Sequence, residues 1–306
     1  MTRQRKKRGR DVSGIIVLDK PAGMSSNGVL QHVKRIYNAN KAGHTGNLDV
    51  PATGLLPICL GEATKVSAYL LDSNKTYHAR CKLGVTTSTG DAAGEILTNS
   101  PIAKISESDL KQVLKKFLGE IEQVPPMHSA LKHNGKRLYE LAYKGIDVER
   151  KARSITIHSI KLLDFNTDEF EIAVSCTKGT YIRTLAEDIG QQLDCGAHIL
   201  TLRRLAAGPF NESQMMTPAQ LQEVAEQGFE QLDNLLLPMD IALVDFPEVR
   251  LSEDLAHYLC QGQAVSVSGL PKSGRLRIYN NSDQFIGLGE VSDDGRLSPK
   301  RLINMI

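Results

Sequence analysis

The stretch Gly43-His44-Thr45-Gly46-Asn47-Leu48-Asp49-Val50-Pro51-Ala52-Thr53-Gly54, followed by Leu60-Gly61-Glu62-Ala63-Thr64-Lys65, carries the most information in this chain. Three glycines within twelve residues mark a loop with unusual dihedrals or a backbone that approaches a ligand closely. A carboxylate, Asp49, and an imidazole, His44, lie inside it. The loop is a site candidate, and a structural turn with a surface aspartate accounts for the same residues at this level.

Working outward, a strand at Ile15–Leu18 ends in a turn at Asp19-Lys20-Pro21-Ala22-Gly23. Ser26 or Asn27 then caps a helix to about Asn38, with Val29, Leu30, Val33, Ile36 and Tyr37 at helical spacing. A second helix is predicted over Glu62–Leu71. Over Lys75–Leu83, Tyr77, Ala79, Cys81 and Leu83 alternate with Thr76, His78, Arg80 and Lys82, as in a half-buried strand. A helix over Glu107–Leu118 opens on Ser106 with Asp109, a capping-box-like pair.

Residues 124–153 open on Val124-Pro125-Pro126 and carry seven Lys or Arg against three acids. They read as a basic, partly extended insertion with a short helix near Arg137–Tyr143. Strands at 154–164 and 169–177, a helix from Thr180 to before Asp194 and a strand at Ile199–Ala206 follow. Residues 212–248 hold eight acids and no Lys or Arg, which suggests a helix turned away from any polyanion. From Pro247 the pattern changes to short strands and turns, a small β-rich unit.

The charge of +2 is uneven. Residues 1–10 hold six Lys or Arg and no acid, and the remainder has 31 basic and 35 acidic residues, net −4. Such a tail attracts nucleic acid or another polyanion, or serves as a solvated end. The five cysteines form no C-x-x-C pair and read as small buried hydrophobes in a reducing compartment. No run of apolar residues is long enough to span a membrane, and the basic start lacks the apolar core of a secretory signal. Phosphate-binding G-x-x-x-x-G-K-[ST] and metal-binding H-E-x-x-H patterns are absent.

The central stretch resembles the catalytic motif of the TruB family of pseudouridine synthases, in which a Gly-His pair leads into Leu-Asp-Pro-x-Ala-Thr-Gly. The likeness runs along nearly the whole chain in the family's order. It includes Asp19-Lys20-Pro21 with Gly23-Met24-Ser25-Ser26, then Lys75-Thr76-Tyr77, and Pro125-Pro126 with Ser129-Ala130. It continues through Gly135-Lys136-Arg137-Leu138-Tyr139, Lys178-Gly179-Thr180-Tyr181-Ile182-Arg183-Thr184 and Gly196-Ala197-His198 with Leu202-Arg203-Arg204. Gly287-Leu288-Gly289-Glu290 through Pro299 resembles the family's C-terminal RNA-binding PUA-type domain.

The resemblance implies an α/β (α+β) catalytic domain over residues 11–246, with a mixed, largely antiparallel sheet and the insertion at 124–153. A PUA-like domain is implied over 247–306. It implies isomerisation of uridine to pseudouridine at position 55, in the T loop of tRNA, with no cofactor and no metal. It further implies a monomer without obligate protein partner or membrane, working in the cytoplasm. Asp49 matches the catalytic carboxylate. Arg183 matches the cation beside it, and a neighbouring cation keeps a carboxylate ionised. Tyr77 matches the residue that packs on a flipped base, and from pattern alone it reads as a core strand tyrosine. Tyr181 and Leu202 match further pocket residues, and His44 a residue that reorganises the RNA loop.

Two positions depart from the pattern. Val50 stands between Asp49 and Pro51, so proline's restraint on its predecessor falls on Val50, which also keeps its N–H. His128 stands where the family has Tyr, and is expected to touch none of the residues assigned to chemistry. Two rival readings are a tRNA-binding or folding chaperone acting independently of catalysis, and a guide-RNA-dependent relative working inside a multiprotein particle. The stand-alone length and the lack of long lysine-rich extensions favour the independent enzyme over the second.

Overall fold

The computed structural model describes residues 9–102 and 105–304. Residues 1–8 of the expected basic tail therefore lie outside the described residues. The first half contains β1 (Gly14–Lys20), α1 (Ser26–Ile36), β2 (Ala42–His44), β3 (Thr53–Leu60), α2 (Ser67–Leu71), β4 (Lys75–Leu83), β5 (Val85–Thr87), β6 (Ile96–Asn99), α3 (Glu107–Lys116) and β7 (Gly119–Gln123). The insertion holds β8 (Lys132–His133), β9 (Lys136–Arg137) and α4 (Leu138–Ala142). There follow β10 (Arg153–Asn166), β11 (Glu169–Cys176), α5 (Ile182–Gln192), β12 (Ala197–Ala207), α6 (Pro218–Ala225) and α7 (Phe229–Asp233). The last part is β13 (Glu248–Leu251), α8 (Glu253–Cys260), β14 (Gly274–Asn280), β15 (Phe285–Val291) and β16 (Leu297–Leu302).

One mixed sheet of eight strands runs β1-β3-β12-β4-β11-β10-β7, with β2 also on β3. Its pairings are antiparallel except where β12 meets β3, at Arg203 opposite Thr53 and Arg204 opposite Gly54. The two ends of the sheet are built differently. At β4, Tyr77, Ala79, Cys81 and Leu83 enter a core with α3 and α5. The opposite face is polar, where His78 pairs with Glu171, Arg80 with Glu169 and Lys82 with Asp168. This is the alternation of a sheet covered on one side only.

At β1 and β3 both faces are covered. Ile16, Leu18, Leu56, Ile58 and Leu60 pack toward α1, α6 and α7, while Ile15, Val17, Leu55 and Cys59 pack with Leu70 and Phe210. A strand buried on both faces reads as an unbroken apolar run. With Pro57 inside it, β3 carried no strand signature and was missed.

The second helix is broken, a 3-10 turn at Gly61–Lys65 followed by α2. Residues 212–248 are not one helix but α6 and α7 between two 3-10 turns, interrupted at Gly228, whose φ is 108°, and at Pro238. Four cysteines are buried, but Cys260 is exposed on the last turn of α8, which corrects the reading of all five as core residues. Among the described residues no helix is long and apolar enough to cross a membrane.

Strands β13–β16 form a separate four-stranded sheet packed with α8. It is joined to the rest by an apolar seam of Val66, Leu243 and Leu288 with Tyr69, Phe246 and Phe285. Polar ties border the seam, including Lys65 Nζ to the Leu302 carbonyl at 2.8 Å and Tyr279 Oη to Asp240 at 2.6 Å. The C-terminal sheet therefore also covers side chains of α2 and the turn before it.

The parallel crossing of β3 and β12 has almost no slack. Gly54 has φ of 100°, and a Cβ there would lie 2.3 Å from the Arg204 carbonyl oxygen. Gly54→Ala is expected to destabilise the fold by at least about 1–3 kcal/mol from the dihedral alone. Urea unfolding measures this, and an unchanged midpoint would contradict the tight crossing.

Candidate active site

The loop joining β2 to β3 is pinned from below before it presents Asp49. Ser26, in the first turn of α1, accepts a hydrogen bond from the Leu48 N–H at 2.8 Å and donates to the Leu48 carbonyl at 3.1 Å. The helix cap is instead Ser25, whose hydroxyl accepts from the Gly28 N–H, so neither expected cap residue serves. Lys20 is fully buried, and its ammonium donates to the carbonyls of Pro21, Met24 and Val50 at 2.9, 2.7 and 3.2 Å. Burial lowers its pKa to about 8, an effect that the nearby Asp49 charge opposes. The Asp49 carbonyl accepts from the Ala52 N–H at 3.1 Å and closes the turn through Val50 and Pro51. The departure at Val50 is accommodated because the fold uses its carbonyl, which also accepts from the Gly23 N–H at 2.9 Å.

Arg204 holds the other side of the loop. It is 1% exposed, donates from Nε to the Leu55 carbonyl at 2.6 Å, and directs its two terminal nitrogens at the Asn47 and Gly46 carbonyls at 3.5 and 3.4 Å. Arg204 sits opposite Tyr77 in the β12–β4 register. Burial raises the Tyr77 pKa, and the Arg204 charge opposes the shift. Tyr77 shares its core with Leu48 and Ala52 of the loop. The structure places Tyr77 in the core, as the strand pattern reads it, next to the loop that carries Asp49. His44 ends β2, opposite Ile58, and its buried Nδ1 has no partner. Burial and then the Arg204 charge lower its pKa, which keeps the ring neutral near neutral pH.

Asp49 and Arg183, far apart in sequence, form an ion pair at 2.9 Å. Arg183 lies in the first turn of α5, and its side chain is 6% exposed while that of Asp49 is 43% exposed. Water therefore reaches the carboxylate in the RNA-free chain. The guanidinium has further partners, donating from Nη1 to the Thr89 carbonyl at 2.6 Å and from Nη2 to the His128 carbonyl at 2.8 Å. His128 was expected to touch no residue assigned to chemistry, and its main chain contacts Arg183 directly.

Asp49, Pro51, Ala52, Arg183, Leu202 and Asp91 line one cleft. Asp91 was missed in the sequence. It is 8% exposed, and its Oδ1 accepts from Thr89 Oγ1 at 2.6 Å and the Ala93 N–H at 3.0 Å. Leu202 is partly buried against the same core as Tyr77. Tyr181 is the residue before α5, with its backbone held at both ends by Gln123, at 2.8 and 3.1 Å. Burial raises its phenol pKa. Among the described residues, no group of three His, Cys, Asp or Glu side chains is arranged to hold a metal ion.

Comparison with known proteins shows that this fold and site are those of a pseudouridylate synthase. The N-terminal domain of the TruB family pseudouridylate synthases matches residues 34–182. The tRNA pseudouridylate synthase B C-terminal domain matches 183–244, and the C-terminal domain of pseudouridine synthase II TruB matches 247–303. The chain belongs to the TruB family. It is 52% identical to tRNA pseudouridine synthase B of Nitrosococcus oceani, over 99% of this chain and 98% of that protein. It is 54% identical to the protein of the same name from Pseudomonas aeruginosa, over 96% of this chain and 97% of that one. Among solved structures, a Cbf5-Nop10-Gar1 complex matches with a TM-score of 0.73 at 27% identity, over 95% of this chain and 84% of the matched chain. An H/ACA particle bound to a substrate RNA containing 2′-deoxyuridine shares the fold, with a TM-score of 0.74 at 24% identity over 99% of this chain and 92% of the matched one.

The three-way engagement of Arg183 generates a prediction. Lysine keeps the charge but loses the planar fork. Arg183→Lys is expected to lower the single-turnover rate by roughly 10²-fold, the cost of removing one preorganised donor. Full activity in this variant would show that the fork is dispensable.

Proposed function

We propose that this protein isomerises uridine to pseudouridine in tRNA, at position 55 of the T loop, with Asp49 as the catalytic carboxylate. The observation that carries this reading is the Asp49–Arg183 ion pair, built on a buried guanidinium in a chain of the TruB family. The reaction breaks the N-glycosidic bond, turns the uracil and rejoins it through carbon. Atoms and electrons are conserved, so the overall change calls for no co-reactant.

A uridine in a folded loop is stacked, and it must be flipped out to be reached. Tyr77 and Leu202 offer the flipped base an aromatic and an aliphatic wall, and base–aromatic stacking is commonly worth about 1–3 kcal/mol. Asp49 begins the reaction at the sugar, as nucleophile or as base. Arg183 holds it in place, and the arriving base shields the half-exposed carboxylate from water. Buried Arg204, beside the Tyr77 hydroxyl, supplies positive potential where the detached uracil carries negative charge. Tyr181 completes the wall next to Arg183, and the neutral His44 meets the RNA loop.

Residues 11–246 form the catalytic unit in this reading, with residues 124–153 and a PUA-like unit at 247–306 adding RNA affinity. The basic residues 1–10 contribute salt-dependent attraction. The protein works as a monomer in the cytoplasm without an obligate protein partner. A tRNA-folding chaperone activity is compatible with the same RNA-binding surfaces. The second carboxylate, Asp91, raises hydrolysis as an alternative, because glycosidases use two. Its hydrogen bonds to Thr89 and Ala93 favour a structural use.

Asp49→Asn keeps size and hydrogen bonding while removing the charge and the nucleophile. Single-turnover assays of the purified chain on unmodified tRNA transcript are expected to show a rate loss of several orders of magnitude, with RNA affinity retained. Retained turnover would overturn the assignment, and lost binding together with lost folding would make Asp49 structural. Release of free uracil by the unsubstituted chain would replace isomerisation with hydrolysis.

A further inference from the structure

Tyr143 follows α4 in the insertion and is 79% exposed, the most open of the large apolar side chains that face solvent among the described residues. The helix does not need this ring for its own packing, since Leu138 and Leu141 fill its buried side. The ring is nevertheless oriented. His128 meets it edge to face at 5.6 Å and 75°, and Tyr139 does so at 6.3 Å and 72°. The Arg137 guanidinium lies 5.9 Å from the centre of the Tyr139 ring. Together these side chains make an aromatic ladder with its outermost rung in solvent.

The ladder is fastened to the active site through the main chain. Arg183 donates to the His128 carbonyl at 2.8 Å, and the Tyr139 N–H donates to the Ser129 carbonyl at 3.1 Å. His128 thus links the arginine beside Asp49 to the exposed Tyr143 ring. The ladder cannot shift far from the reacting carboxylate without breaking those bonds. Lys132, Lys136, Arg137 and Lys144 are exposed around it. An open π face inside a basic surface matches a nucleobase flanked by phosphates. Stacking accepts any base, and the cations meet the backbone.

We propose that Tyr143, held edge-on by His128, is a stacking platform for a nucleobase of the RNA substrate other than the flipped uridine. This rests on the reading of the protein as an RNA-modifying enzyme. The platform fixes how the RNA loop lies while the uridine occupies the cleft. His128 takes part as the ring that orients Tyr143.

The test uses the full chain in the Asp49→Asn background, so that no turnover occurs, and an RNA stem-loop of T-arm sequence. A set of these RNAs carries a single abasic replacement at each loop position other than the target uridine. Tyr143→Ala is expected to raise Kd by about 5- to 150-fold, the equivalent of about 1–3 kcal/mol of stacking. Tyr143→Phe, which keeps the ring, is expected to bind like the unsubstituted residue. At one loop position the abasic RNA should bind weakly to the parent chain and lose nothing more on Tyr143→Ala. That loss of additivity identifies the stacked base.

Unchanged affinity of Tyr143→Ala overturns the proposal. So does an equal further loss on every abasic RNA, which would mean contact with the backbone only. The ring lies in solvent, so an unchanged thermal midpoint is expected to confirm an intact fold. Failure of the parent reading shows separately, as an unsubstituted chain that forms no pseudouridine in the uridine-containing stem-loop.

Discussion

The site depends on one buried guanidinium that has to satisfy its donors. Arg183 is almost wholly removed from water, and leaving a buried charge without partners costs several kcal/mol. Its partners are supplied by separate segments: the Asp49 carboxylate from the β2–β3 loop, the Thr89 carbonyl from the β5–β6 connection and the His128 carbonyl from the insertion. Each segment is therefore located by the same side chain. The carboxylate is aimed, the cleft wall carrying Asp91 is set beside it, and the insertion is tied to the cleft. A monodentate cation could neutralise Asp49, but it could not place these other loops.

Around this pair lie buried cations of a different kind. Lys20, Lys75 and Arg204 are each buried, and among the described residues none forms an ion pair. Main-chain carbonyls surround them instead. The Lys75 ammonium donates to those of Leu70, Leu71 and Ser73, and burial lowers its pKa to about 8. Burial first, and the Arg204 charge in addition, lower the pKa values of Lys20, His44 and Lys75. Carbonyl dipoles hold a cation without cancelling its charge, so the charges of Lys20 and Arg204 persist beside the Asp49 loop. A carboxylate partner would fix the same geometry and cancel those charges.

Elements whose burial is one-sided were legible in the sequence. Lys75–Leu83 showed its alternation because its outer residues meet water and pair with acids, and Ser106 with Asp109 announced the start of α3. Thr53–Leu60 was illegible because both faces are buried and proline interrupts it. Residues 212–248 hid their breaks because an acidic, apolar-rich composition does not locate the positive φ at Gly228. The short helix α8 was also missed. Within the site, Asp49 and Arg183 came from family resemblance, since no local spacing links residues on a loop and a distant helix. Asp91, Ser26 and Arg204 were not assigned. They act through hydrogen bonds to groups remote in sequence, for Ser26 and Arg204, or hidden inside a turn, for Asp91, and such bonds leave no periodic trace.

The two departures from the family pattern follow the same logic. At Val50 the fold uses the carbonyl, which accepts from Lys20 and Gly23, while the side chain is 48% exposed. At His128 it again uses the carbonyl, as an acceptor for Arg183. A backbone acceptor is present whatever residue supplies it, so the network around Asp49 does not restrict the side chains at these positions. These carbonyl bonds therefore place no demand of their own on the side chain at either position. At position 128 that freedom falls where the cleft meets the insertion, beside Tyr143, so a change of ring there alters the surface offered to a partner while the carbonyl bond to Arg183 stays the same.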